Sequence, residues 1–166
     1  SPYTLGDKYF LFNPSSGWVI DYNGMEIMEA GRGYSVRAPQ VFDINTPYLF
    51  TAKFTGIPNN GDINPLVSKD NYNLVGNPYP SAISAVALIN GNPNLGTIFL
   101  WTHNTNPSQS VAGDSKYFYS SDDYTAFNLT GSSGGAKLNG EAFKEYIAAG
   151  QGFLAQPKTA TMNFNN

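Results

Sequence analysis

The chain has 166 residues, 41% hydrophobic and 14% aromatic, but only 13% charged, with 17 Gly, 11 Pro and no Cys. A net charge of −3 with Lys and Arg scattered singly cannot neutralise a phosphate backbone, so no nucleic-acid partner is expected. No apolar run reaches the roughly 18 residues of a membrane span, and the absence of Cys removes disulfides, thiolate nucleophiles and cysteine zinc sites together.

The aromatic content, 11 Phe, 11 Tyr and 2 Trp, supplies more apolar area than a disordered chain carries. Charge at about half the usual share of about 25% leaves a surface of Asn, Ser, Thr, Gly and Tyr, the look of an extracellular β-protein. Helical periodicity is nearly absent. Short aromatic and β-branched runs bounded by Gly, Pro, Asn and Asp predict strands at 8–13, 17–22, 33–38, 48–56, 72–76, 97–103, 116–120, 124–128, 152–156 and 161–165.

In chain order, Tyr9-Phe10-Leu11-Phe12 is apolar on both faces and reads as a core strand, as does Thr97-Ile98-Phe99-Leu100-Trp101. Leu49-Phe50-Thr51-Ala52-Lys53-Phe54-Thr55 alternates cleanly, which predicts burial of Phe50, Ala52 and Phe54. Ser81 is a candidate N-cap for a helix over 82–89, ended by Asn90-Gly91. A second helix is expected over 141–147, with acids in its first turn and Phe143, Tyr146 and Ile147 on one face.

The most informative pattern is a near-duplication. Ala30-Gly31-Arg32-Gly33-Tyr34-Ser35-Val36-Arg37-Ala38-Pro39 matches Ala149-Gly150-Gln151-Gly152-Phe153-Leu154-Ala155-Gln156-Pro157, and a similar strand lies upstream of each, 9–13 and 98–102. The fold expected is therefore an all-β, antiparallel, jelly-roll-like sandwich of two related halves, about 1–66 and 67–166, with one or two short helices. The second half carries extra chain, an insertion over 104–139, polar and Gly-rich, where binding specificity is easily housed. Each Gly-x-Gly predicts a turn needing positive φ rather than a phosphate loop, because neither has a third Gly or a following helix.

Tyr72-Asn73-Leu74-Val75-Gly76-Asn77-Pro78-Tyr79-Pro80-Ser81-Ala82-Ile83 resembles the N-L-(I/V)-G-N-P-Y-P-S-A-(I/L) signature of large secreted and surface proteins of gliding, type IX-secreting Bacteroidota. Phe54-Thr55-Gly56-Ile57-Pro58, Phe99-Leu100-Trp101-Thr102-His103-Asn104 and both Gly-x-Gly blocks match as well, so the resemblance covers most of the chain. It implies a β-rich module at the cell surface or outside the cell, often placed just before a C-terminal sorting domain. No sorting domain is present in these residues, so a piece of a longer protein with neighbouring domains is expected. On its own physics, Asn77-Pro78-Tyr79-Pro80 is a rigid corner, since the prolines fix φ and push Asn77 and Tyr79 out of the helical region.

Candidate chemistry is sparse. His103 is the single histidine and adjoins no nucleophile motif, and Glu26, Glu29, Glu141 and Glu145 are the carboxylates open to a glycosidase pair, so no catalysis is expected. Calcium is the one cofactor with candidate ligands, Asp114, Asp122 and Asp123, together with Asp62 and Asn64. Sugars stack on aromatic rings and bond to amides and carboxylates, which makes Trp18, Trp101, Tyr117, Tyr119 and Tyr124, with Asn104 as polar partner, candidates for a surface glycan or polysaccharide. The expected role is a non-catalytic structural or adhesive module; the alternative is a carbohydrate-binding module accessory to an enzyme elsewhere in the parent chain.

Overall fold

A computed structural model describes residues 4–39, 46, 49–51, 53–102, 123–133 and 143–166. In chain order these form β1 (Tyr9–Asn13), β2 (Gly17–Ile20), β3 (Ser35–Val36), β4 (Asn73–Gly76), β5 (Ile83–Ser84), α1 (Ala85–Gly91), β6 (Ile98–Trp101), β7 (Tyr124–Asn128), β8 (Gly131–Ser133), β9 (Tyr146–Ile147) and β10 (Gly152–Ala155). The protein is all-β and antiparallel, sandwich-like, with one short α-helix and no closed barrel among the described residues.

A five-stranded sheet runs in the order β4-β10-β6-β7-β8, a three-stranded sheet in the order β2-β1-β3, and β5 pairs with β9 alone. Alternation along β10 and β6 puts Phe153, Ala155, Ile98 and Leu100 on one face, essentially without exposure. The core cluster that buries them includes Ala85, Leu88 and Ile89 of α1, Tyr79 and Leu95, and Met162 and Phe164 near the C-terminus.

The helix begins later than its N-cap residue in sequence suggests. Ile83 and Ser84 first pair with Ile147 and Tyr146, so the cap is Ser84, whose Oγ accepts from the Ala87 N–H at 3.2 Å, and not Ser81. That same pairing excludes a helix at Tyr146–Ile147: the short amphipathic pattern yields to a strand partner. Residues 161–165 form no ladder either, only an isolated bridge between Phe164 and Ile63.

Two further expectations are corrected. Phe50 and Phe54 are exposed rather than buried, because the alternating segment has no ladder neighbour among the described residues; period two requires a sheet to be alternate against. Tyr9-Phe10-Leu11-Phe12 is half-buried, not core, whereas Ile98 and Leu100 are fully interior. The strand expected at 116–120 lies outside the described residues.

Val75 links residues 31–33 to the five-stranded sheet. It pairs with Phe153 on one side and forms a bridge with Arg32 on the other, where the Gly33 N–H donates to Leu74 O at 2.9 Å and the Gly76 N–H to Gly31 O at 3.0 Å. Gly31 and Gly150 both turn with positive φ, at 82° and 66°. Gly33 is required by close approach instead: a Cβ there would lie 2.6 Å from Leu74 Cγ and 2.9 Å from Val75 O.

Candidate functional site

Successive residues of a strand face opposite ways, so burying Ile98 and Leu100 turns Phe99 and Trp101 to the outer face of the five-stranded sheet. Register carries that face across the sheet. Phe99 lies between Leu154 and Ala126, and Leu154 pairs onward with Leu74, all four half-buried. Trp101 stands opposite Tyr124 with ring centroids 4.9 Å apart and planes at 70°, while the exposed Tyr72 meets Phe99 edge to face at 5.7 Å. Burial raises the Tyr124 phenol above its ordinary value of 10.0, so it is neutral and able to donate at physiological pH.

The ladder is closed just past this ring pair. Thr102 donates from both N–H and Oγ to the Asp123 carbonyl, at 2.8 and 2.6 Å. Asp123 itself has no exposed surface. The base of the connection between β6 and β7 is thus held by a ring pair and two hydrogen bonds.

Of the residues singled out by sequence, Trp101 and Tyr124 are brought together. Trp18 belongs to the other sheet, where it is about half exposed and contacts Phe12 edge to face at 5.2 Å. Tyr117, Tyr119, Asn104, Asp114 and Asp122 lie outside the described residues, as do His103 and Glu141. Asp62 and Asn64 are engaged through Oδ1 by Asn165 and Asn163, and Glu26 and Glu29 each face Arg32 at 3.8 Å. Among the described residues no three His, Cys, Asp or Glu side chains cluster as metal ligands.

Tyr72 and Phe99 were not among the expected site residues, although period two from Leu74 and Trp101 puts both on the outer face. The corner block is structural. Asn77 Nδ2 donates to the carbonyls of Ser81, Ile147 and Ala148, its Oδ1 accepts from the Tyr79 N–H, and the Tyr79 hydroxyl donates to Gly61 O at 2.6 Å. Asn92 works alike, donating to Leu88 O and Asn163 O and accepting from the Asn163 N–H. Buried Asn77 and Asn92 therefore serve as partners of backbone groups in the interior rather than facing a ligand.

A family model matches the whole chain, residues 1–166. The chain belongs to the family described as a domain of unknown function, DUF8693. No curated protein and no solved structure matches it. This DUF8693 chain also carries an open groove of about 640 Å³ between the start of α1 and the C-terminal residues, lined by neutral groups that include Ser81, Ser84, Asn92 and Asn163. It has no aromatic wall, so the outer sheet face is the better candidate for recognition.

Proposed function

We propose that this chain is a non-catalytic extracellular module, structural or adhesive, of a larger cell-surface or secreted protein of the type IX-secreting Bacteroidota kind. It works by presentation: the sheet fixes the two ends of the connection between β6 and β7. The observation that carries this reading is the closure of the ladder at Trp101–Tyr124 and Thr102–Asp123, where that connection leaves the sheet. Low charge and abundant neutral polar residues suit an exposed scaffold of this type.

The test replaces residues 103–122 by a short Asn-Gly turn. Retained melting temperature with lost adhesion to cells or matrix supports presentation; unchanged adhesion overturns it.

A second reading, a carbohydrate-binding module attached to an enzyme elsewhere in the parent chain, is favoured by the same ring pair. Half-buried rings on a sheet face are what a sugar face stacks upon. A polysaccharide pull-down in which Tyr124→Ala abolishes retention supports it, and failure to retain any polysaccharide sinks it.

A further inference from the structure

An edge strand presents its outward N–H and C=O groups to any extended chain that reaches it, and folded proteins blunt such edges. Among the described residues most edges here are blunted. The far side of β4 is taken by residues 31–33, through the Gly33 N–H to Leu74 O and the Gly76 N–H to Gly31 O. β8 is Gly-Ser-Ser with no apolar side chain, and β3 is two residues long and runs straight into Arg37. β2, Gly17-Trp18-Val19-Ile20, has none of these devices. It carries no charge and no proline, and its three apolar side chains are 48%, 42% and 41% exposed, pointing alternately to the two faces of the sheet.

The register identifies which backbone groups of β2 are unused. The Asp21 N–H donates to Tyr9 O at 2.9 Å, which makes Tyr9 and Asp21 a hydrogen-bonded pair. Bonded and non-bonded pairs alternate along an antiparallel ladder, so Leu11↔Val19 and Asn13↔Gly17 are bonded as well, whereas Phe10↔Ile20 and Phe12↔Trp18 are not. The other side of β1 agrees: the Arg37 N–H donates to Lys8 O at 3.0 Å, so the bonds of Phe10 go to Ser35 in β3. The N–H and C=O groups of Trp18 and Ile20 therefore point away from β1, and β2 is the last strand of its sheet among the described residues.

We propose that β2 is the edge through which two copies of this chain pair, antiparallel across a two-fold axis, joining their three-stranded sheets. The register that uses all the free groups puts Trp18 opposite Ile20 of the second copy and Val19 opposite Val19 on the axis. Trp18 and Ile20 then exchange backbone hydrogen bonds across the axis, and each face gains a continuous apolar row: Phe12–Trp18–Ile20–Phe10 on one, Leu11–Val19–Val19–Leu11 on the other. Gly17 comes to lie opposite Asp21, whose carboxylate already accepts from the Met25 and Glu26 N–H groups, so no like charges face one another. A flanking strand gives new neighbours to side chains on both faces at once, which accounts for the exposure of Trp18 and Ile20 as well as Val19. The strand is complementary to itself in hydrogen-bond parity, apolar rows and charge, which favours a second copy over an unrelated chain. The pair is also closed, because it consumes this edge in both copies.

The chain has no Cys, so one introduced thiol reads the pairing directly. Opposed residues of a non-bonded pair have Cα atoms about 4.5 Å apart, within disulfide reach. Val19→Cys is therefore expected to give a covalent dimer on mild oxidation, and Val36→Cys, on the opposite edge of the same sheet, to give none. Sedimentation over a concentration series is expected to show a reversible dimer, weakened about tenfold by Val19→Lys and restored when Val19→Lys is mixed with Val19→Glu. Ile20→Pro removes an N–H that only the second copy uses, so it is expected to abolish the dimer and leave the monomer folded. A monomer at every concentration overturns the proposal, as does a dimer indifferent to Val19→Lys, or equal cross-linking at the two thiol positions. If Ile20→Pro fails to fold, the Lys and Glu variants decide: no restoration on mixing overturns the proposal.

Discussion

Trp101 and Tyr124 face one another across β6 and β7, their rings edge to face at 4.9 Å, at the last rung before the ladder gives way to a long connection. Edge-to-face pairs contribute about 0.5–1.5 kcal/mol beyond the area they bury. Tyr124→Ala is expected to lower stability by about 2 kcal/mol, measured by urea unfolding, once the lost apolar area is included. Tyr124→Phe keeps the ring contact and is expected to cost under about 1 kcal/mol. Equal losses for the two would show that the hydroxyl, not the ring pair, holds the rung.

Asn77 closes the corner onto Tyr79 and Ser81 and ties it to residues 147–148, through three donated bonds and one accepted bond. Its removal leaves buried carbonyls unsatisfied, which costs about 1–3 kcal/mol for each group that water cannot reach. Asn77→Ala is therefore expected to destabilise by about 3 kcal/mol, and Asn77→Asp by at least as much, because its charged oxygens cannot donate. Thermal unfolding with a loss below about 1 kcal/mol would refute the staple role.

Gly33 has no room for a side chain, since backbone at Val75 O and the Leu74 side chain occupy the Cβ position. Gly33→Ala is expected to cost about 1–3 kcal/mol through forced displacement of the 31–33 segment from β4. Gly61, at positive φ (74°) with open space around it, separates strain from crowding: Gly61→Ala is expected to cost about 1 kcal/mol. Amide exchange at Gly76, whose N–H donates to Gly31 O, should accelerate only in the Gly33 variant.

Alkaline titration should destabilise the fold through two tyrosines. Burial raises both the Tyr79 and the Tyr124 phenol above the ordinary 10.0, and Asp62 raises Tyr79 further. Both are neutral, with no stability loss, while pH stays below about 10, the value in the unfolded chain. Above it the unfolded state releases protons first, so stability falls as pH climbs through the raised folded values. Melting temperature followed from about pH 8 to 11 should drop less steeply in the Tyr124→Phe variant. An identical slope would show that other groups govern the alkaline limb.

Half of the outer sheet face can be read without coordinates. Period-two alternation puts Phe99 with Trp101, and Tyr72 with Leu74, on common faces. Pairing Trp101 with Tyr124 cannot be read so, because the register between β6 and β7 depends on how a connection of more than twenty residues returns. The Ser81 cap fails for a related reason: Ser81 and Ser84 are equally good caps locally, and only the partner strand at Tyr146–Ile147 selects Ser84.

The sequence by itself determined the antiparallel β class, the turns at Gly31 and Gly150, and the rigid corner at Asn77–Pro80, because alternation, positive φ and proline restriction act within a few residues. It could not say which of two similar aromatic strands becomes core. Tyr9-Phe10-Leu11-Phe12 and Ile98-Phe99-Leu100-Trp101 carry nearly the same local information, yet only the second is interior. The tertiary structure decided that, because burial belongs to whatever packs around a strand: Ile98 and Leu100 of β6 join the buried cluster that holds Leu88, Ile89, Phe153 and Phe164, whereas no residue of β1 belongs to it.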